Sequence, residues 1–340
     1  MGPSSAAAPG VPCHGPALWT GPEPAASGAW LRRPTPAQLA ELALAVRTVR
    51  TRGTPLLRVT AEQFPAPAWH PELAAISHEL AHGCGLAVVR RIPVEGFRPA
   101  EREQLLWGLG RHLGTPVSQD VTGHMLGRLP VAGPAAASPG AFRTDEADTT
   151  ALLCLRPARA SLVSSAALHN TVLARRPELL HRLYRTHHLD RGPRLPALAA
   201  PLAHRAGPRF SLRYDRRRIE AAQGRPGVPP LTREDVELFD LLDAAAASPA
   251  LRLDLDLSPG DLLLLDNHTV AHTLTFTNPR ATAPEATADA LRLWLTPHQP
   301  RDLPPEFWGD TAQGPHGTRG GVPPRDVIAH RSPFHTKEPA

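Results

Sequence analysis

The chain has 340 residues, 41% of them hydrophobic, and a formal net charge of +5, enough apolar material for one large core. Its basicity is almost wholly arginine, and the longest basic run is Arg216-Arg217-Arg218, so the charge does not argue for a nucleic-acid partner. Three scattered cysteines support neither a disulfide framework nor a zinc ribbon, and no apolar run nears the ~20 residues that cross a bilayer, so a cytoplasmic protein without a membrane partner is expected.

Residues 1–29 are rich in Ala, Pro, Gly and Ser and predict a disordered leader, followed by one domain over 30–310 and a flexible tail over 311–340. The first helix is predicted to begin at Thr35, where Thr35-Pro36-Ala37-Gln38 forms a capping box with proline at the first helical position, and to end at Gly53. Leu39, Leu42 and Val46 share one of its faces. A second helix over about Pro71–His82 stops at Gly83 and leads into the apolar strand Leu86–Val89, and a third covers Ala100–Leu113.

Farther along, Leu152–Leu155 reads as a strand, Ser165–Arg175 as a helix interrupted by Pro177, and Thr232 as the cap of a helix running to about Ala247. The last third is the most strand-like: Leu251–Leu257 alternates, Ser258-Pro259-Gly260-Asp261 turns, Leu262–Leu265 follows and Leu291–Leu295 closes. Helices first and strands later predict a mainly β fold with flanking α-helices, a jelly-roll sandwich.

Two groups of residues carry chemistry. His78-Glu79-Leu80-Ala81-His82 matches the H-E-x-x-H pattern that sets two imidazoles on one helical face around zinc with a glutamate as general base. The position six residues after His82 is Val88, which leaves Glu95, Glu101 and Glu103 as third-ligand candidates. The plainer expectation is a helix whose Leu73, Ile76 and Leu80 face the core while His78, Glu79 and His82 face water.

The second group is dispersed: Phe142-Arg143-Thr144-Asp145, then the Leu152–Leu155 strand, and far downstream Pro259-Gly260-Asp261, Asp266-Asn267, His272 and Leu291-Arg292-Leu293-Trp294-Leu295. Together with Gly83-Cys84-Gly85-Leu86, Pro116-Val117-Ser118-Gln119, His169-Asn170 and Arg213-Tyr214, their order resembles the TauD/TfdA (taurine dioxygenase, clavaminate synthase-like) family of Fe(II)/2-oxoglutarate oxygenases. The resemblance covers roughly Trp30 to Pro305 and implies a double-stranded β-helix of clavaminate synthase-like type.

In that family a His-x-Asp/Glu pair and a distant histidine hold iron on one face and leave positions open for 2-oxoglutarate and oxygen. The resemblance puts Asp145 on the carboxylate ligand and His272 on the distal histidine, and it puts Arg143 where the first histidine belongs. Arginine offers no lone pair and cannot ligate iron. The cosubstrate arginine falls on Ala288, whereas Arg292, more often turned toward substrate, is kept, and Ser161 matches the small hydroxyl residue that helps hold the cosubstrate.

Residues two apart on a strand share a face, so Arg143 and Asp145 are expected to point into one pocket and pair there. His268, His169 and His124 are further histidines able to supply a third ligand. Three readings follow. The first is an iron oxidoreductase acting on a small metabolite through Asp145, His272 and an unusual third ligand. The second is a non-catalytic relative that binds an anionic metabolite or a partner protein, and the third a zinc peptidase using His78 and His82. A homo-oligomer is compatible with each of them.

Overall fold

A computed structural model describes residues 10–129, 141–276 and 288–325. The chain opens with α1 (Pro22–Ser27), β1 (Leu31–Arg32), α2 (Pro36–Arg52), α3 (His70–His82), β2 (Leu86–Val89) and α4 (Pro99–Leu113). It continues through β3 (Gly114–Pro116), β4 (Leu126–Leu129), β5 (Thr149–Cys154), β6 (Ala158–Ser164) and α5 (Ser165–Arg175). Two hairpin-like pairs follow, β7 (Thr186–Leu189) with β8 (Leu198–Pro201) and β9 (Ala203–Ala206) with β10 (Arg209–Leu212), then α6 (Arg216–Ala222) and α7 (Arg233–Ala247). Strands β11 (Leu253–Leu257), β12 (Leu262–Asp266), β13 (Val270–Phe276) and β14 (Ala290–Pro297) and the short α8 (Pro305–Trp308) complete it.

Local chemistry sets the helix ends. Thr35 accepts from the Gln38 N–H while the Gln38 side chain answers the Thr35 N–H, and Gly53 closes α2 in the left-handed region at φ 62°. Thr232 and Asp235 repeat the capping box for α7, and Ser164 caps α5.

Among the described residues the main sheet has seven strands in the order β1-β2-β12-β5-β14-β3, with β4 also on β14. Its outer face carries Val89, Leu153, Leu264 and Leu293, which pack against Leu42 and Val46 of α2, Ile76 of α3 and Leu105 and Leu109 of α4. The helix α4 comes so close that a methyl group added at Gly110 would stand 2.3 Å from Leu293.

The inner face, through Val88, Leu152, Leu263 and Leu265, meets Ala160 and Leu162 of β6 and Leu253 and Leu255 of β11. Strands β11, β6 and β13 form the second, antiparallel sheet, whose far side packs Val163 and Ala271 against α5 and α7. Two facing sheets with helices on both outer faces are the mainly β jelly-roll arrangement expected from the sequence.

Both ends of the domain lie farther out than composition suggested. Within residues 10–29, read as disordered, Cys13 and Trp19 are buried, and the Trp19 indole donates to the Cys84 carbonyl at 3.0 Å. On the tail side, Thr311 and Thr318 are buried, Val322 packs on Val117 and Trp294, and Arg319 is ion-paired to Asp148. Residues 1–9 and 326–340 of the expected leader and tail lie outside the described residues.

Candidate functional site

Phe142–Ala147 forms no regular strand; within it Arg143 alone makes β-bridges, to His272 and to Asp215, and the chain bends at Glu146 and Ala147. The backbone of Arg143 exchanges both hydrogen bonds with His272 of β13, at 3.0 and 2.8 Å. That bridge sets Arg143 beside His272, and two residues on, the Asp145 N–H donates to the Asn267 side chain at 3.3 Å. Asn267 in turn donates to the Ala147 carbonyl and to Thr150, fixing the turn after β12 against the start of β5.

The residues expected to converge do so around the Asp145 carboxylate. The Arg143 Nε is 3.8 Å from Oδ1, the Arg292 Nη1 is 3.7 Å from Oδ1, and the His272 Nε2 is 3.9 Å from Oδ2. The close contacts come from neutral donors: the Trp294 indole N–H at 2.9 Å and the Thr150 hydroxyl at 2.8 Å, both on Oδ2. Arg292 also donates to Gln119 at 2.7 Å and lies over the Trp294 ring, its guanidinium carbon 4.4 Å from the centroid.

The sequence reading did not assign Trp294, Thr150 or Gln119. Trp294 stands two residues after Arg292 on β14, so the period of a strand puts it on the same inward face. Thr150 and Gln119 left no comparable sequence signal.

Burial by itself would raise the Asp145 carboxyl, but Arg292, then His272 and Arg143, and the indole hydrogen bond hold it well below the usual carboxylate range. The His272 imidazole is lowered too, which here favours its neutral form: burial, helped by the two guanidiniums and opposed by Asp145, pushes it down to about 4. Burial also lowers Arg292, against the pull of Asp145. Around Asp145 the centre thus holds one ionised carboxylate, a neutral imidazole and two guanidiniums, with Asp215, bridged to Arg143 through the backbone, a further carboxyl acting on that arginine.

The donor set does not fit a facial iron triad. Arg143, beside Asp145, has no lone pair to offer a metal, and both close donors already occupy one oxygen of Asp145. The His272 Nδ1 is buried without a hydrogen-bond partner, whereas the second nitrogen of a metal-bound histidine is ordinarily anchored. Among the described residues no three His, Cys, Asp or Glu side chains gather into a metal-holding group.

Other expectations are corrected. Ser161 pairs with Thr273 across β6 and β13, so it lies on the face opposite Leu162 and His272, and its hydroxyl donates to Asp254 rather than reaching the centre. Ala288 precedes β14 and packs on the helix-side core. His268 is taken by Asp148 at 2.9 Å, His169 is buried beside Cys13 and Phe210, and His124 belongs to a turn with Asp120; none of these reaches Asp145 as a third ligand.

The zinc reading fails on Glu79. Its Oε1 accepts from the Cys84 N–H at 2.8 Å, closing the end of α3, so it is not poised as a base between His78 and His82. Glu101 and Glu103 are engaged by arginines, Glu101 by Arg50 and Glu103 by Arg128.

Known proteins agree with the fold. FR-33289 synthase of Streptomyces rubellomurinus is 27% identical over 301 residues, spanning 79% of this chain and 87% of that protein. The taurine hydroxylase-like protein SAT17 of Stachybotrys chartarum is 24% identical over 266 residues, covering 69% and 67% of the two chains. Among solved structures, an asparagine oxygenase in complex with Fe(II), 3-hydroxyasparagine and succinate superposes with a TM-score of 0.60 at 18% identity, over 78% of this chain and 94% of that one. The non-haem iron oxygenase OrfP in complex with Fe gives 0.56 at 18% identity, over 78% and 93%. The family described as taurine catabolism dioxygenase TauD, TfdA family matches residues 52–283, well over half of the chain, and this protein belongs to that family.

Proposed function

We propose that this TauD/TfdA-family protein binds a small anionic metabolite at its centre, with the Arg143 guanidinium in the place of the family's first iron-ligating histidine, and that it does not carry out the standard reaction with Fe(II) and 2-oxoglutarate. One observation carries the reading: Arg143 and Arg292 both face Asp145 Oδ1, at 3.8 and 3.7 Å. Asp215 also acts on Arg143, but among the described residues no carboxylate closes on either guanidinium nearer than 3.7 Å, so an anionic guest would complete their neutralisation in a setting where an unpaired charge is costly.

Within this reading Asp145 is the internal counter-ion. Trp294 and Thr150 hold it in place so that it does not swing to neutralise either arginine fully. Gln119 aims Arg292 by accepting from its Nε. The asparagine oxygenase of similar fold, in complex with 3-hydroxyasparagine and succinate, supports a ligand of amino-acid size.

The test is an anaerobic titration of the purified protein with Fe(II) and 2-oxoglutarate, watched for the visible charge-transfer band of the chelated iron and followed by metal analysis after desalting. No band and no retained iron are expected for the native chain. Arg143→His, which supplies the missing lone pair, is expected to gain Fe(II) retention. Calorimetry with succinate and 2-oxoglutarate in the absence of metal then asks for anion binding that Arg143→Ala and Arg292→Ala weaken. Stoichiometric iron in the native chain would sink this reading.

That last result would favour a second reading, an oxidoreductase of the usual family type with an unforeseen third ligand. It rests on the retained geometry of the other two: the His272 Nε2 still faces Asp145 Oδ2 across 3.9 Å. A metal would then draw Asp145 and His272 together, and substrate screening with amino acids would follow.

A further inference from the structure

A second cavity, of about 540 Å3, opens between α3, the start of β10 and the segment after β14. None of Arg143, Asp145 and Arg292 lines it; His268 lines both it and the small void beside Asp145. His78 and His82, one helical turn apart, line it with their rings 5.1 Å apart, and His298 is among its lining residues. Arg209, the first residue of β10, reaches across and donates from Nη2 to the His82 Nδ1. Leu80 and Leu113, both nearly buried, provide an apolar floor.

The charge balance in this cavity is lopsided. Asp148 and Asp266 line it, but Asp148 is consumed by His268 and Arg319, and Asp266 by Arg301. Arg209 has no carboxylate partner among the described residues, whereas the exposed Asp302 lies on the outer lip and acts on His204. The field is also felt by His82, whose imidazole is held below its ordinary range by burial first and then by Arg209, His78 and Arg301.

We propose that this cavity is a binding site for a small organic anion, a carboxylate or phosphate ester with a compact apolar body, whose charged group Arg209, His82 and His78 hold while Leu80 and Leu113 receive the body. Guanidinium and imidazole N–H groups are the donors such an anion needs. A metal ion is a poorer guest, because one nitrogen of His82 already faces a guanidinium and the nearby charge is repulsive. The site is independent of the reading given for the Asp145 centre.

The experiment follows the histidine ring resonances of the full-length protein during titration with benzoate and, separately, phenyl phosphate. Saturable shifts at His78 and His82 are expected with either probe, the tighter one identifying which anion the site prefers. Arg209→Gln is expected to weaken binding about tenfold, the loss of one charge-assisted contact, and His78→Gln by a smaller factor. Arg143→Ala is expected to leave the titration unchanged, which separates this site from the central one. No saturable shift, unaltered affinity in Arg209→Gln, or micromolar Zn(II) binding that displaces both probes would each overturn the proposal.

Discussion

Asp145 and Asp148 stand three residues apart, are both buried, and each faces a histidine and an arginine, yet they are held in opposite ways. Asp148 is closed on by its charged partners: the His268 Nε2 at 2.9 Å and the Arg319 Nε and Nη2 at 3.0 and 2.6 Å. Around Asp145 the charged groups stand off at 3.7 to 3.9 Å, and only the neutral donors Trp294 and Thr150 make close contact. The fork at Asp148 is a latch that ties the segment around Arg319 to the sheet. The arrangement at Asp145 leaves its cations incompletely neutralised, which is how a site differs from a structural ion pair.

The largest effect that can test this contrast is on stability. Asp148→Asn leaves Arg319 buried without its partner, and a loss of about 3–5 kcal/mol in chemical denaturation is expected. Asp145→Asn should cost less, because its arginines are already held apart from it and Arg292 keeps Gln119. A larger loss at Asp145 than at Asp148 would invert the assignment of latch and site.

Proton linkage supplies the next effect. His272 is driven down from 6.5 to about 4 in the folded protein, so between those values the unfolded chain binds a proton that the folded one refuses. Stability is therefore full above about pH 6.5 and falls as pH drops toward 4. The displacement from 6.5 to about 4 corresponds to roughly 3 kcal/mol, at about 1.4 kcal/mol for each pH unit. Asp145, also depressed, contributes stability that is lost only at more acidic pH, below its unfolded value near 4. Denaturation midpoints measured between pH 4 and 7 should fall less steeply for His272→Gln than for the native protein, and parallel curves would show that His272 titrates normally.

How far all this was legible from the sequence depended on the kind of signal. Caps and apolar runs are local, so α2, α5 and α7 and the Leu262–Leu265 strand lie where they were predicted. Strands β6 and β13, one of which carries His272, were not: the Ala-Arg-Ala-Ser start of β6 lacks aliphatic alternation, whereas the strand-favouring Val, Thr and Phe of β13 were a signal passed over. Composition averages over single anchors, so it gave no sign that Cys13 and Trp19, within the described part of the expected leader, are buried. Asp145, His272, Arg143 and Arg292 converge as their order implied, whereas Ser161 misses by strand parity: a shift of one residue moves a side chain to the opposite face.

The smallest effect bears on what keeps the Asp145 centre open. Trp294 Nε1 donates to Asp145 Oδ2 while its ring supports Arg292. Trp294→Phe keeps an aromatic face beneath the guanidinium and removes only the N–H. The bond reaches an ionised acceptor, which sets its worth at about 1.5–3 kcal/mol, but Thr150 still donates to the same oxygen, so the lower end, about 1.5 kcal/mol, is expected in denaturation. The same variant has a second use in the Arg143→His background. There the indole competes for the carboxylate oxygen nearest His272, so removing its N–H should strengthen Fe(II) retention even as the fold weakens. Stability and metal retention moving in opposite directions would mark Trp294 as the group that fixes Asp145 for a metal-free centre; a fall in both would make it a packing residue only.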